Sequence, residues 1–194
     1  MKIVGFESSH GPRLGVVEND QVIDVQAVDE KAPADLAEWL RRGDGDLTPL
    51  KDLASRAPAQ ARRPLEGLTF RMPVANPGKI ICLGLNYLDH VKEGPQKDNI
   101  PKFQSIFFRM ASSLVPHEQP LLRPKKSIQF DYEGELVVII GKRAKHLTLE
   151  NATDCVAGYT CGNEGSIREY QGHTTQWGMG KNFDQTGSGG PWMV

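Results

Sequence analysis

Cysteine is scarce. Cys82, Cys155 and Cys161 are the three in the chain, and none stands in a Cys-x-x-Cys spacing. An odd count without paired spacing excludes a disulfide scaffold, and each thiol lies in or beside an apolar run, so all three read as buried, reduced side chains. An excess of either charge is also missing: 23 Lys and Arg stand against 24 Asp and Glu. With no basic–aromatic stripe either, the sequence offers no nucleic-acid surface. No apolar run approaches the roughly 20 residues that a membrane span needs, so no membrane partner is expected. The start, Met1 to Gly5, reads as the beginning of a strand and not as a signal peptide, and a cytoplasmic protein is expected. A phosphate-binding Gly-rich loop, a His-Glu-x-x-His helix and a Gly-x-Ser-x-Gly elbow are all absent, and no internal repeat or low-complexity segment occurs.

What the sequence does hold is punctuation. Among 194 residues, 20 are Gly and 13 are Pro, which suits short strands and many turns. That length supports one sizeable core, or a core with a small appended unit. Lys2–Glu7, Arg13–Glu18 and Gln21–Val25 alternate apolar and polar residues, with Asn19-Asp20 as a hairpin turn between the last two. Pro33 to Gly43 has the marks of a short amphipathic helix, and a second one begins at Thr48-Pro49. Residues 57 to 78 carry four prolines and read as a linker with one short strand. These features predict a small β-rich unit over 1–73 and a second unit over 74–194. In the second unit, Lys79–Gly84 and the run Leu136–Ile140 read as buried strands, Ile106–Arg109 as another strand, and Thr148 as the N-cap of a short helix.

Chemistry concentrates around Asp131-Tyr132-Glu133-Gly134-Glu135. Side chains two apart on a strand point the same way, so Glu133 and Glu135 share a face. Two neighbouring carboxylates at the mouth of an apolar strand repel each other, and a hard divalent cation resolves that conflict. The same pattern also fits a strand end with two solvated glutamates. A third carboxylate, Glu164, follows the strand-like run Cys155–Gly162. After the turn at Gly84, His90 and Glu93 lie three apart on one helical face, where a carboxylate can orient an imidazole as a general base. An exposed i,i+3 pair has the same spacing. Arg168 and Gln171 form a further pair three apart.

Together these stretches resemble the fumarylacetoacetate hydrolase family. The likeness runs from Lys79–Tyr87 with His90 and Glu93, through Asp131–Leu136 and Val156–Thr160, to Arg168, Gln171, Lys181–Asp184 and Gly190-Pro191-Trp192. It implies an α+β, mostly β protein: a mixed β-sandwich or β-roll core behind a small N-terminal β-rich domain, in a homodimer. It implies a Mg²⁺ or Mn²⁺ site, which Ca²⁺ could also fill, made by Glu133, Glu135 and Glu164, the last standing where the family more often has Asp. His90 with Glu93 corresponds to the family's water-activating pair and Lys181 to its active-site lysine. Arg109, where many members carry Lys, and Arg168 and Gln171 correspond to substrate-binding positions. The expected activity is metal-dependent hydrolysis of a carbon–carbon bond in a 2,4-dioxo acid of the acylpyruvate or fumarylpyruvate type, in aromatic or small-acid catabolism. Oxaloacetate decarboxylation, keto–enol tautomerisation and dioxo-acid isomerisation use the same enolate logic and stay open. Family members continue well beyond the Gly-Pro-Trp turn, so a C-terminally shortened member is expected, with a non-catalytic remnant as the alternative.

Overall fold

A computed structural model of the chain describes residues 1–93 and 100–194. The first part builds a five-stranded antiparallel sheet from β1 (Lys2–Ser8), β2 (Gly11–Glu18), β3 (Gln21–Asp24), β4 (Arg62–Pro64) and β5 (Thr69–Arg71), in the order β4-β3-β2-β1-β5. The β2–β3 hairpin turns at Asn19, whose φ of 54° is one that Asn tolerates. The stretch read as a linker in fact supplies both outer strands of this sheet. Short edge strands tolerate Pro because one side of the ladder needs no donor, and that disguises them in a proline-rich sequence. Alternation was also the wrong mark for β1. Ile3, Val4, Gly5 and Phe6 are all buried, because both faces of the sheet are covered.

Helices cover one face. After the single turn α1 (Val25–Val28), α2 (Leu36–Arg42) starts at Asp35, whose carboxylate accepts from the Glu38 N–H, and stops at Gly43. The helix α3 (Thr48–Ser55) follows, with Leu50, Leu53 and Ala54 buried. These residues pack with Ile3, Leu14, Val16 and Ile23, and the same cluster takes in Ile139 and Met193 from far along the chain. A two-way backbone pair between Ile3 and Met193, at 2.8 and 2.9 Å, ties the two parts together.

The second part is a set of smaller sheets. Strands β6 (Ile80–Gly84) and β7 (Ser105–Arg109) form an antiparallel ribbon, with the helix α4 (Leu88–Glu93) on the chain between them. The notional continuation of that helix at Gly94 lies outside the described residues. Next come β8 (Leu114–Pro116), β9 (Phe130–Asp131), β10 (Gly134–Ile140), β11 (Val156–Asn163), β12 (Ser166–Ile167), the short helices α5 (Arg168–Gln171) and α6 (Gly178–Lys181), and β13 (Gly187–Gly190). A four-stranded mixed sheet has the order β10-β11-β13-β8, parallel only between β13 and β8, and β12 pairs with β9. The chain is thus α+β and mostly β.

Two sequence expectations need correction here. The strands β6 and β10 form where the apolar runs predict them, but neither is buried on both faces. Ile81 and Leu83 on β6, and Leu136, Val138 and Ile140 on β10, are exposed because no described element covers that face; Cys161 and Tyr159, opposite Leu136 and Val138 on the interior strand β11, are exposed with them. Thr148 does not cap a helix. The Asn151 side chain takes the Thr148 N–H at 2.7 Å, and one tight 3₁₀ turn follows over Ala152–Cys155. An Asx side chain that bonds the backbone locally favours the turn over the helix.

Candidate active site

Register brings the carboxylates together. Strands β10 and β11 run antiparallel with Gly134 opposite Asn163 and Glu135 opposite Gly162, so one step further Glu133 lies opposite Glu164. The Glu164 N–H continues the ladder to the Glu133 carbonyl at 2.8 Å, and the Glu133 N–H goes to Asn163 Oδ1 at 3.1 Å. Each of Glu133, Glu135 and Glu164 offers an oxygen within 4.8 Å of the other two. The longer side chain at position 164 therefore still reaches the group.

Cations and hydroxyls ring this cluster. Lys181, at the end of α6 and 2% exposed, sets Nζ 2.9 and 2.8 Å from the two Glu133 oxygens and 3.5 Å from Glu164 Oε2. The Phe107 ring lies 5.2 Å away from the ammonium. Ser166 Oγ, fully buried, donates to Glu133 Oε1 at 2.9 Å. Arg168 Nη1 donates to that same oxygen at 2.5 Å and to Gln171 Oε1 at 2.9 Å. Its Nε and Nη2 hold Asp131 Oδ2 at 3.0 and 2.8 Å. Tyr87 Oη donates to Glu135 Oε2 at 3.1 Å.

These surroundings drive two neighbouring carboxyls apart. Burial works to raise both. At Glu133 the ammonium of Lys181, the Ser166 hydroxyl and the Arg168 guanidinium outweigh it, and the carboxyl falls below its ordinary range. At Glu164 burial, aided by the Glu133 charge, prevails over Lys181 and Arg109, and the carboxyl rises. Burial first, and then the charge of Glu164, push the nearby Cys82 thiol up to about 12, so it is a neutral thiol and no nucleophile.

The other expected residues divide. Arg168 reaches the cluster, and Gln171 reaches it through Arg168. Arg109 is 4% exposed and spends its donors on Ser113, Gly165 and Thr186, so it faces protein where a substrate contact was expected. Nε, both N–H groups of Nη2 and one of Nη1 are thereby spent inside the protein. His90 and Glu93 are not brought together. Both are exposed on α4, with no side-chain hydrogen bond or ion pair to a described residue; the pair on that helix is Lys92 with Asp89, at 3.2 Å. Ser166, Tyr87 and Asp131 are the members that sequence reasoning missed. Asp131 and Ser166 lie opposite each other on the β9–β12 pair, two residues before Glu133 and two after Glu164, and that nearness in sequence is the signal that could have found them.

The donor set fits a hard divalent cation. It consists of carboxylate oxygens alone, as Mg²⁺, Mn²⁺ and Ca²⁺ prefer. Glu164 Oε1 is buried with no hydrogen-bond partner among the described residues, an expense that a cation would remove.

Comparison with known proteins agrees with this architecture. Residues 79–194, more than half the chain, match the fumarylacetoacetate hydrolase C-terminal family model. The whole chain is 37% identical to a Xenopus laevis protein named as a mitochondrial oxaloacetate tautomerase and 36% identical to a human one of the same description. It spans 61% and 62% of those relatives' lengths. Among solved structures, a fumarylacetoacetate hydrolase from Exiguobacterium antarcticum superposes over the whole chain and 66% of its own, with 32% identity and a TM-score of 0.79. A maleylpyruvate hydrolase from a Sphingobium species, determined with manganese(II) and pyruvate, covers the whole chain at 27% identity and a TM-score of 0.75. The chain belongs to the fumarylacetoacetate hydrolase family.

Proposed function

We propose that this chain carries the metal site of an enzyme that interconverts the keto and enol forms of a short 2-oxo dicarboxylic acid, with oxaloacetate as the first substrate to test. The observation that carries the reading is the convergence of Glu133, Glu135 and Glu164, with the buried ammonium of Lys181 against them. Glu133, Glu135 and Glu164 would hold Mg²⁺ or Mn²⁺. Such an ion, when bound, supplies Lewis-acid polarisation of a 2-oxo acid's oxygens. Lys181 offers a positive charge to the enolate oxygen that develops, and its burial makes that charge count for more than it would in water. Arg168, fixed by Asp131 and Gln171, holds Glu133, and Tyr87 orients Glu135.

The chemistry balances without a co-reactant. A proton leaves C3, the electron pair forms the C2–C3 double bond, and a proton is taken up on the 2-oxo oxygen. His90 is the proposed proton carrier, since an imidazole exchanges protons near neutral pH. The relatives described as oxaloacetate tautomerases, at 36–37% identity, support this substrate.

Cleavage of a 2,4-dioxo acid is the second reading, favoured by the 32% identical hydrolase structure. Two assays with added Mn²⁺ separate them: decay of the enol absorbance of oxaloacetate, and release of pyruvate from acetylpyruvate or fumarylpyruvate. The proposal predicts the first activity, with a loss of roughly 10²-fold in His90→Ala. Pyruvate release alone would move the assignment to the hydrolase. Neither activity would leave a binding protein.

A further inference from the structure

Arg109 ends β7 inside the protein, and a guanidinium 4% exposed needs acceptors for its five N–H groups. It finds acceptors for four of them on three separate segments. Nε donates to Ser113 Oγ at 3.0 Å and Nη2 to the Ser113 carbonyl at 3.4 Å, in the turn after β7. Nη2 also donates to Thr186 Oγ1 at 3.2 Å, beside β13. Nη1 donates at 3.2 Å to the carbonyl of Gly165, the residue that follows Glu164. Little slack surrounds this fork. A Cβ on Gly165 would lie 1.9 Å from the Thr186 carbonyl oxygen, and one on Gly187 would lie 2.9 Å from Arg109 Nη2. Nη1 stands 3.8 Å from Glu164 Oε1, too far for a hydrogen bond and close enough for its charge to act. That oxygen is the buried one without a hydrogen-bond partner among the described residues.

We infer that Arg109 is a positioning residue for the third carboxylate: its fork pins the Gly165 carbonyl to Ser113 and Thr186, and so sets Glu164 beside Glu133 and Glu135 with Oε1 turned to a divalent cation. This rests on the reading of the three glutamates as a cation site. Many members carry Lys here, but with Asp more often as the third carboxylate; beside the longer Glu164 of this chain a lysine would keep the charge and lose the positioning, because one ammonium cannot meet acceptors on Ser113, Gly165 and Thr186 at once. If Arg109 supplied charge alone, lysine would serve equally well.

The test is Mn²⁺ titration of the full chain, followed by the paramagnetic resonance of free Mn²⁺, in wild type, Arg109→Lys and Thr186→Val. Each melting curve is recorded without metal, so that binding is compared where all are folded. The expected result is a loss of Mn²⁺ affinity of about 10- to 100-fold in Arg109→Lys, the range for a residue that orients a ligand from behind. Thr186→Val should show a smaller loss in the same direction, and it carries the test alone if Arg109→Lys does not fold. A residue that merely stabilised the fold would lower the melting temperature and leave the affinity of the folded protein unchanged. Wild-type binding with variant affinities within about twofold of it would overturn the positioning role and leave the cation site standing. No Mn²⁺ binding by wild type would overturn both.

Discussion

Lys181 holds a place that two chemistries compete for. Its ammonium bridges both oxygens of Glu133, the carboxylate that also faces Ser166 and Arg168, and it is 2% exposed. Taking such a charge out of water is costly unless partners surround it, and here two carboxylates do. The same closeness sets the ammonium against an incoming cation. Lys181→Gln should therefore bind Mn²⁺ at least as tightly as wild type, while turnover falls by about 10²-fold or more through loss of enolate stabilisation. Metal titration and the oxaloacetate assay on one preparation check both halves of that statement. Much of this residue-level picture was legible in the sequence. Strand periodicity singled out Glu133 and Glu135, although Glu133 lies one residue before the strand and the same pattern fitted two solvated glutamates; Glu164 and Lys181 came from the family resemblance. The place of Arg109 was not legible, since a sequence does not say that Ser113, Gly165 and Thr186 meet around one guanidinium.

At the scale of elements, the helix α5 is anchored through its own acidic residue. Glu169 accepts from Ser127 Oγ at 2.7 Å and from the backbone N–H groups of Ile128 and Gln129 at 3.0 and 3.2 Å. The Ser127 hydrogen bond, with help from those amides, holds the carboxyl below its ordinary value of 4.5. A carboxyl depressed in the folded state contributes stability that is present above its unfolded value and is lost as pH falls through the lower, folded one. Glu169→Gln should thus lower the melting temperature at neutral pH. The gap from wild type should narrow as pH drops below 4.5, and melting curves across that range read it directly; a gap independent of pH would contradict the anchor. The anchor could not be read ahead of the structure, and where the sequence suggested one short strand in a linker there are two edge strands, at Arg62–Pro64 and Thr69–Arg71. Both depend on partners distant in sequence, and the edge strands have the composition of a linker.

The whole molecule is organised around strand ends that meet. Ile3 bonds to Met193, Ile139 enters the core built by the first sheet and its helices, and β10 with β11 delivers the glutamates beyond that shared core. The strands of the first hairpins and the helices at Leu36–Arg42 and Thr48–Ser55 were readable because their signals are local: turn residues, caps and apolar period. Which faces stay exposed was not readable, because an apolar run specifies a strand without specifying its neighbours. The outer faces of the β6–β7 ribbon and of β10 show this. The proposed chemistry requires that the three glutamates form a single divalent-cation site. Titration of Mn²⁺ into the intact chain tests it most directly. One Mn²⁺ per chain is predicted, lost in Glu133→Gln and in Glu164→Gln under conditions where both variants remain folded. Binding of equal strength in those folded variants, or no binding by wild type, would contradict it.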